Sequence, residues 1–326
     1  MHGKTFAVQN AKQKSKTTKP RRKEELIHMK FTVEKRLLNE AVTNLQRAVS
    51  SKTSIPALEG IHIRSEENRL ILTAYDLEIG MQTELPAIIS APGAIILTAK
   101  LFAEIVRRSP DEDITIDVDD RNTATITSGV SCFTIIGMDS AEFPELPKIT
   151  DADTIKMPQE LLKSMIRQTL FAVADSTAKP IHQGSLFKIE NGNLDVVSVD
   201  GYRLALRREA INYANNTEFV VPGKTLSEVL KLLKDSEGEV EICPSRRHIL
   251  FRIDNYTVIS ALLEGEFLDY KSALPKDKKT EVTVSTRTMI ESVERVSLLI
   301  TDRLKSPVRC VIGEDTVKLF CTTTMG

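Results

Sequence analysis

The sequence predicts an α+β protein made of tandem copies of one unit of strands and helices. Two patterns and one coincidence carry that prediction. Short stretches of apolar residues at strand-like spacing, bounded by Asp, Asn and Gly, recur along the chain. Between them, a few longer stretches carry apolar residues on a single helical stripe. The chain also matches itself. Leu37 and Leu38 are answered by Leu161 and Leu162, Pro56 by Pro180, Gly60 by Gly184, Lys100 by Lys224 and Phe143 by Phe267, every pair 124 positions apart.

Taken in order, residues 1–28 contain KQKSKTTKPRRKEE and few apolar residues, a composition that predicts a basic, disordered extension. It lacks the central apolar stretch of a secretory signal and reads as an upstream extension with the natural start at Met29. A nucleic-acid-binding arm and a transit peptide are the alternatives. Phe31-Thr32-Val33 reads as a short strand. A helix over 34–49 follows, with Leu37, Leu38, Ala41, Val42 and Leu45 on one side, and Ile55-Pro56 breaks it. Strands are expected near 60–64, 69–75 and 80–85, then a second helix over about 100–108. Further strands near 113–118, 123–126 and 131–136 lead to the turn-rich Glu142–Pro147.

The second copy begins at Met157. Within it Asp195–Val199 alternates like a strand, Asp200-Gly201 turns, and Tyr202-Arg203-Leu204 resumes in extended form. The third copy starts near Glu281 with a helix over 285–300 and strands near 308–312 and 316–321. Domains are therefore expected at 29–150 and 151–276, with an incomplete third at 277–326.

Hydrophobic residues make up 41% of the 326 and charged residues 27%, enough to bury sizeable cores, and no apolar run approaches bilayer length. The total charge of −1 hides an asymmetry. Residues 1–28 hold six Lys and two Arg against two Glu, a net +6, which leaves −7 on the rest. Basic helix faces stand out against that acidic body: Lys100, Arg107 and Arg108 in the second helix, Lys224, Lys231 and Lys234 at the matching place, and Lys163 with Arg167 one turn apart. Each could equally be a plain solvated face. Phosphate contacts from such faces give affinity without sequence information and weaken with salt. Cys132, Cys243, Cys310 and Cys321 are far apart in strand-like stretches, which suits reduced and mostly buried thiols. The five His are as scattered, so no metal and no cofactor is expected.

Enzyme readings fail on chemistry. Gly223-Lys224-Thr225 resembles the end of a phosphate-binding loop, but Glu218 stands where that pattern needs Gly. The acidic run from Asp111-Glu112-Asp113 to Asp117, Asp119 and Asp120 lies on loops and one strand face, where gatekeeping charges suffice. No nucleophile–base pair accompanies it.

Three β-rich copies that open with MKFTVEKRLL and continue KTSIPALEGIHI, SVDGYRLAL, VVPGKTLSEVLKLL and EGEFLDYKSALP resemble the bacterial β sliding clamp family over Met29 to Gly326. The resemblance implies a non-catalytic processivity subunit of DNA polymerase III in the bacterial cytoplasm. Its domains each carry two helices backed by sheets, and two three-domain chains close head to tail around duplex DNA. It implies DNA contacts at Lys52 and Lys179 beside the helix faces. Pro180 and Ile181 stand where the family often carries aromatic residues, which leaves no ring there to stack on a base. It implies a pocket for short linear motifs of the polymerase catalytic subunit and clamp-loader subunits. His182, Val199, Gly201, Tyr202, Arg203 and Leu204 would form one wall, Leu268 and Ala273 the other. The plainer reading packs Leu204 and Leu206 into the core and leaves Tyr202 and Arg203 as a surface corner. A homodimer joint would pair Phe133 and Ile135 with Leu298 and Leu299, although all four could be core residues. Homodimerisation depends on a complete third domain, so a truncated clamp paralogue or fragment that binds peptides without ring closure is the alternative.

Overall fold

The computed structural model describes residues 29–50, 53–110, 112–149, 153–175, 179–277, 279–298, 300 and 306–322. The predicted basic extension, Lys52 and Leu299 lie outside the described residues. The chain divides between Leu268 and Asp269 into two compact units.

The first unit holds two copies of one topology. The first copy runs β1 (Met29–Glu34), α1 (Lys35–Leu45), β2 (Gly60–Glu66), β3 (Arg69–Tyr75), β4 (Ile79–Pro86), β5 (Ile88–Ala91), β6 (Ala94–Thr98), α2 (Ala99–Arg108), β7 (Asp113–Val118), β8 (Thr123–Ser128) and β9 (Ser131–Ile136). The second runs β10 (Ile155–Pro158), α3 (Gln159–Thr169), β11 (Gly184–Glu190), β12 (Asn193–Val199), β13 (Leu204–Ala210), β14 (Thr217–Pro222), α4 (Gly223–Leu232), β15 (Glu239–Pro244), β16 (His248–Ile253) and β17 (Tyr256–Ala261). Within the first copy two strands lie outside the expected set: β5 pairs with β1 and β6 with β2, so their partners make them strands.

The four helices follow directly from strands and take no side-chain N-cap. Burial holds them instead. α1 buries Leu38, Ala41, Val42 and Leu45, α2 Phe102, Ile105 and Val106, α3 Leu162, Met165 and Ile166, and α4 Leu226, Val229 and Leu232. At about 1.5–3 kcal/mol for each large apolar side chain, this exceeds the roughly 1 kcal/mol a missing cap forgoes. Their apolar faces meet the sheets in one continuous core that runs through both copies.

All three sheets of this unit are antiparallel. Their orders are β5-β1-β7-β8-β9, β13-β12-β11-β14 and β10-β15-β16-β17-β4-β3-β2-β6. The eight-stranded sheet crosses from one copy to the other: β17 pairs with β4, Tyr256 opposite Thr83 and Ser260 opposite Ile79. Gly80 permits that joint, because a Cβ there would come within 2.5 Å of Leu146 and 2.9 Å of Ile259. β3 and β12 are buried on both faces. In the first copy the chain after β9 returns over β2, where Phe143 stacks on His62 at 5.1 Å.

The second unit contains α5 (Tyr270–Ala273), α6 (Thr286–Ser297) and the hairpin of β18 (Arg309–Ile312) and β19 (Val317–Phe320). Ser285 caps α6 by accepting from the Thr288 amide, and α6 packs against β19 without fully burying any side chain. The thiols depart from expectation. Only Cys243 is buried; Cys132 and Cys310 are exposed because strands β9 and β18 present open faces.

Candidate nucleic-acid and partner-binding surfaces

Helix periodicity places Lys100, Glu104, Arg107 and Arg108 together on the open side of α2, opposite Phe102 and Ile105. In α4 the matching positions, 124 further on, are Lys224, Glu228 and Lys231. α2 lies beside α1 and α4 beside α3. Arg47, just after α1, reaches Glu228 at 4.0 Å and so links the end of α1 to α4. The predicted basic face is therefore assembled by packing rather than by one helix.

Most of its cations already hold a carboxylate. Arg107 and Arg108 both meet Glu104, at 2.7 and 3.1 Å, Lys163 meets Asp235 at 2.7 Å, and Lys231 meets Glu228 at 2.7 Å. Hydrogen bonds from Arg107, with the charges of both arginines, hold the Glu104 carboxyl below the usual carboxylate range. Lys234 pairs with Asp254. Lys224 donates to Asp76 at 2.6 Å and Glu78 at 3.2 Å, both in the other copy. Burial pulls its ammonium down, but Asp76 and then Glu78 outweigh that and raise its pKa. The Gly223-Lys224-Thr225 motif is thus consumed by the joint: Lys224 holds the β3–β4 turn and the Thr225 hydroxyl bonds Ser260 at 2.7 Å. The pairs of Arg107 and Arg108 with Glu104 are exposed on both sides, hence weak and screened, so an arriving phosphate can exchange with them. Lys100, Arg167 and Lys179 are exposed.

The predicted pocket wall is built on a capped turn. Asp200 Oδ1 accepts from the amides of Tyr202 and Arg203, while its Oδ2 accepts from Arg203 Nε at 2.8 Å. Gly201 supplies the required left-handed residue at φ +91°. These bonds make Tyr202 and Arg203 part of the turn rather than extended, and β13 starts at Leu204, opposite Val199. Tyr202 is fully exposed, whereas Val199 and His182 are buried and Leu204 is half-buried. His182 meets Phe267 edge-on at 5.3 Å, and burial together with the Lys179 charge pulls its pKa down. Leu268 is partly exposed at the end of the first unit, and Ala273 ends α5 in the second.

Arg203 also leans over the Phe171 ring at 5.4 Å, a contact no sequence pattern indicated. Beside it, between the two copies, a cavity of about 730 Å³ is lined by Phe171, Arg203, Lys224 and Leu263 among others. On the far edge of the first copy, β9 leaves one side unpaired among the described residues, with Val130, Phe133 and Ile136 exposed. Ile135 packs against the core instead. Leu298 is 80% exposed at the end of α6. No group of three or more His, Cys, Asp or Glu among the described residues could hold a metal ion.

Residues 29–147 match the DNA polymerase III beta subunit N-terminal domain, and residues 156–269 its central domain. The beta sliding clamp of Bacillus subtilis (strain 168) is 37% identical over 281 residues, which cover 83% of this chain and 74% of that one. The chain belongs to the β sliding clamp family. Among solved clamps, a chain from Eubacterium rectale assigned as a DNA polymerase III beta subunit superposes with a TM-score of 0.86 at 34% identity, over 91% of this chain and 82% of that one. The C. crescentus β sliding clamp, with polyethylene glycol in the region proposed as its β-motif tether, gives 0.83 at 26% identity, over 90% and 80%. The sliding clamp is a non-catalytic part of DNA polymerase III, and processivity in DNA replication is the role this membership assigns. No described helix is long and apolar enough to cross a membrane.

Proposed function

We propose that copies of this clamp enclose duplex DNA and tether polymerase to it by topology. The observation that carries this is the shared strand pair of the first unit. β17 and β4 join one copy to the next, while their counterparts in the repeat, β9 and β13, are sheet edges among the described residues. A joint of the same kind at each free edge closes a ring and removes the exposed edges. In this reading residues 29–150 and 151–276 are two clamp domains, and 277–326 belong to a third. Phe133 belongs to one side of the joint between chains, with Ile135 behind it against the core, and Leu298 and Leu299 belong to the other.

Lys52, Lys100, Arg107, Arg108, Lys163, Arg167, Lys179, Lys224 and Lys231 are its phosphate contacts, and Arg107, Arg108, Lys163, Lys224 and Lys231 exchange the carboxylates they hold for DNA. Affinity of that kind carries no sequence information, so the ring slides. The turn at Asp200 docks the linear motifs of the polymerase III catalytic subunit and of the clamp loader. Tyr202 lies open there, and Leu204 and Leu268 of the same unit supply the apolar contact. The ligand-bound clamp from C. crescentus supports a tethering site of this type. The setting is the bacterial cytoplasm.

The test loads the protein onto nicked circular DNA with a clamp loader and then linearises the circle. Topological tethering predicts that the protein is retained on circles and runs off ends; equal retention on both overturns it. A second reading, a peptide-binding module without ring closure, is favoured by the apolar residues Ile290, Val293, Val311 and Phe320 that the second unit leaves open. Native mass spectrometry separates the two: a dimer supports the ring, and a monomer that binds clamp-motif peptides supports the module.

A further inference from the structure

A surface made only to attract phosphate has no use for a carboxylate at its centre, yet both basic helices carry one. Glu104 stands between Lys100, one turn before it, and Arg107 and Arg108, one turn after. Glu228 holds the same place in α4, between Lys224 and Lys231. Both carboxylates take the cation three residues ahead at 2.7 Å. The pattern survives although the cation is Arg in one helix and Lys in the other, and although Leu101-Phe102-Ala103 becomes Thr225-Leu226-Ser227 between the charges. What is common to the two helices is the charge order, positive, negative, positive.

Helix stability does not account for that order. Both helices are anchored by large buried apolar side chains, and in α2, where the pair is exposed, two residues three apart add little to such an anchor. Electrostatics at the surface does account for it. A guanidinium or ammonium tied to its own carboxylate has its charge already compensated and gains less from a phosphate unless it releases that partner. The net gain is then the small difference between two similar ion pairs, and fewer counterions are released than the number of cations suggests.

We infer that Glu104 and Glu228 are positioning residues for duplex DNA, holding the cations along the helix and damping their attraction so that the backbone passes without being gripped. This rests on the reading that α2 and α4 face DNA. Glu228 also meets Arg47, and its Oε2 and the Arg47 Nη1 are buried with no hydrogen-bond partner among the described residues, so changing it would disturb the joint between copies. Glu104 is the cleaner test.

The full chain is titrated with a short fluorescent duplex of arbitrary sequence over a range of salt concentrations. Freed of Glu104, Arg107 and Arg108 become available to phosphate. E104Q should therefore bind roughly three- to ten-fold more tightly at low salt, with the slope of log K against log salt steeper by about one to two. E104A carries the same expectation, and thermal melting by circular dichroism reports whether each variant is folded. A purely structural role for Glu104 would lower the melting temperature and leave the salt slope unchanged. Affinity at or below wild type with an unchanged slope overturns the inference. R107A/R108A separates the two levels: if it weakens binding while E104Q changes nothing, the inference fails and the DNA-facing reading stands. If R107A/R108A binds like wild type, α2 does not face DNA and both fall.

Discussion

Gly201 and Leu77 occupy the same place in two copies of one turn, and they pay differently for it. In both, an Asp side chain caps the turn, Asp200 for Tyr202 and Arg203, Asp76 for Glu78 and Ile79. In both, the next residue is left-handed, at φ +91° for Gly201 and +74° for Leu77. Leu77 is half-exposed, so little packing is lost on removing its side chain. Leu77→Gly should stabilise the protein by about 0.5–1 kcal/mol and Gly201→Ala should cost about 1 kcal/mol, both read from urea unfolding. Two histidines set a pH dependence of the opposite kind to a salt-bridged one. Burial, with Arg64 beside His62 and Lys179 beside His182, pulls both below the ordinary 6.5. The unfolded chain then binds their protons first, so stability present above about pH 6.5 is lost as pH falls through the lowered values. The melting temperature should drop between about pH 7 and pH 5, and His62→Gln should flatten that drop.

At the level of elements, the helices and the repeat were legible because burial decides both. The stripe of Leu38, Ala41, Val42 and Leu45 could only be a helix face, and pairs 124 apart could only be copies of one fold. β5 and β6 were hidden because strand identity there comes from distant partners in β1 and β2, not from alternation. The acids of the basic faces were hidden for another reason: cations draw attention in a sequence, and ion pairing shows only once the helix is built. The same repeat that revealed Lys100 and Lys224 already contained Glu104 and Glu228. Edge strand β9 carries its own prediction. Phe133→Lys places a charge on an open edge, the device by which sheets refuse partners. Sedimentation equilibrium should find weaker self-association than wild type; unchanged association would remove β9 from the joint.

For the first unit as a whole, the two copies behave as one body because the joint combines strand pairing with side-chain links. Asn255 bonds Thr83 at 2.8 Å, Asn44 bonds Tyr256 at 2.8 Å, and Lys224 holds Asp76 and Glu78. Lys224 is about half exposed, so its latch is expected to be modest. A double-mutant cycle of Lys224→Ala and Asp76→Asn should give a coupling of about 0.5–1 kcal/mol in unfolding, and zero coupling would mean the ion pair is ornamental.

The eight-stranded sheet has a mechanical meaning as well. A pull that separates the copies across the strands must open β17 from β4 one rung at a time, whereas a pull along the strands loads every rung of that ladder together. The joint is therefore a directional fastener, stiff against sliding and yielding to peeling. Any machine that has to open an assembly built from such joints does least work by prying at an end of the ladder.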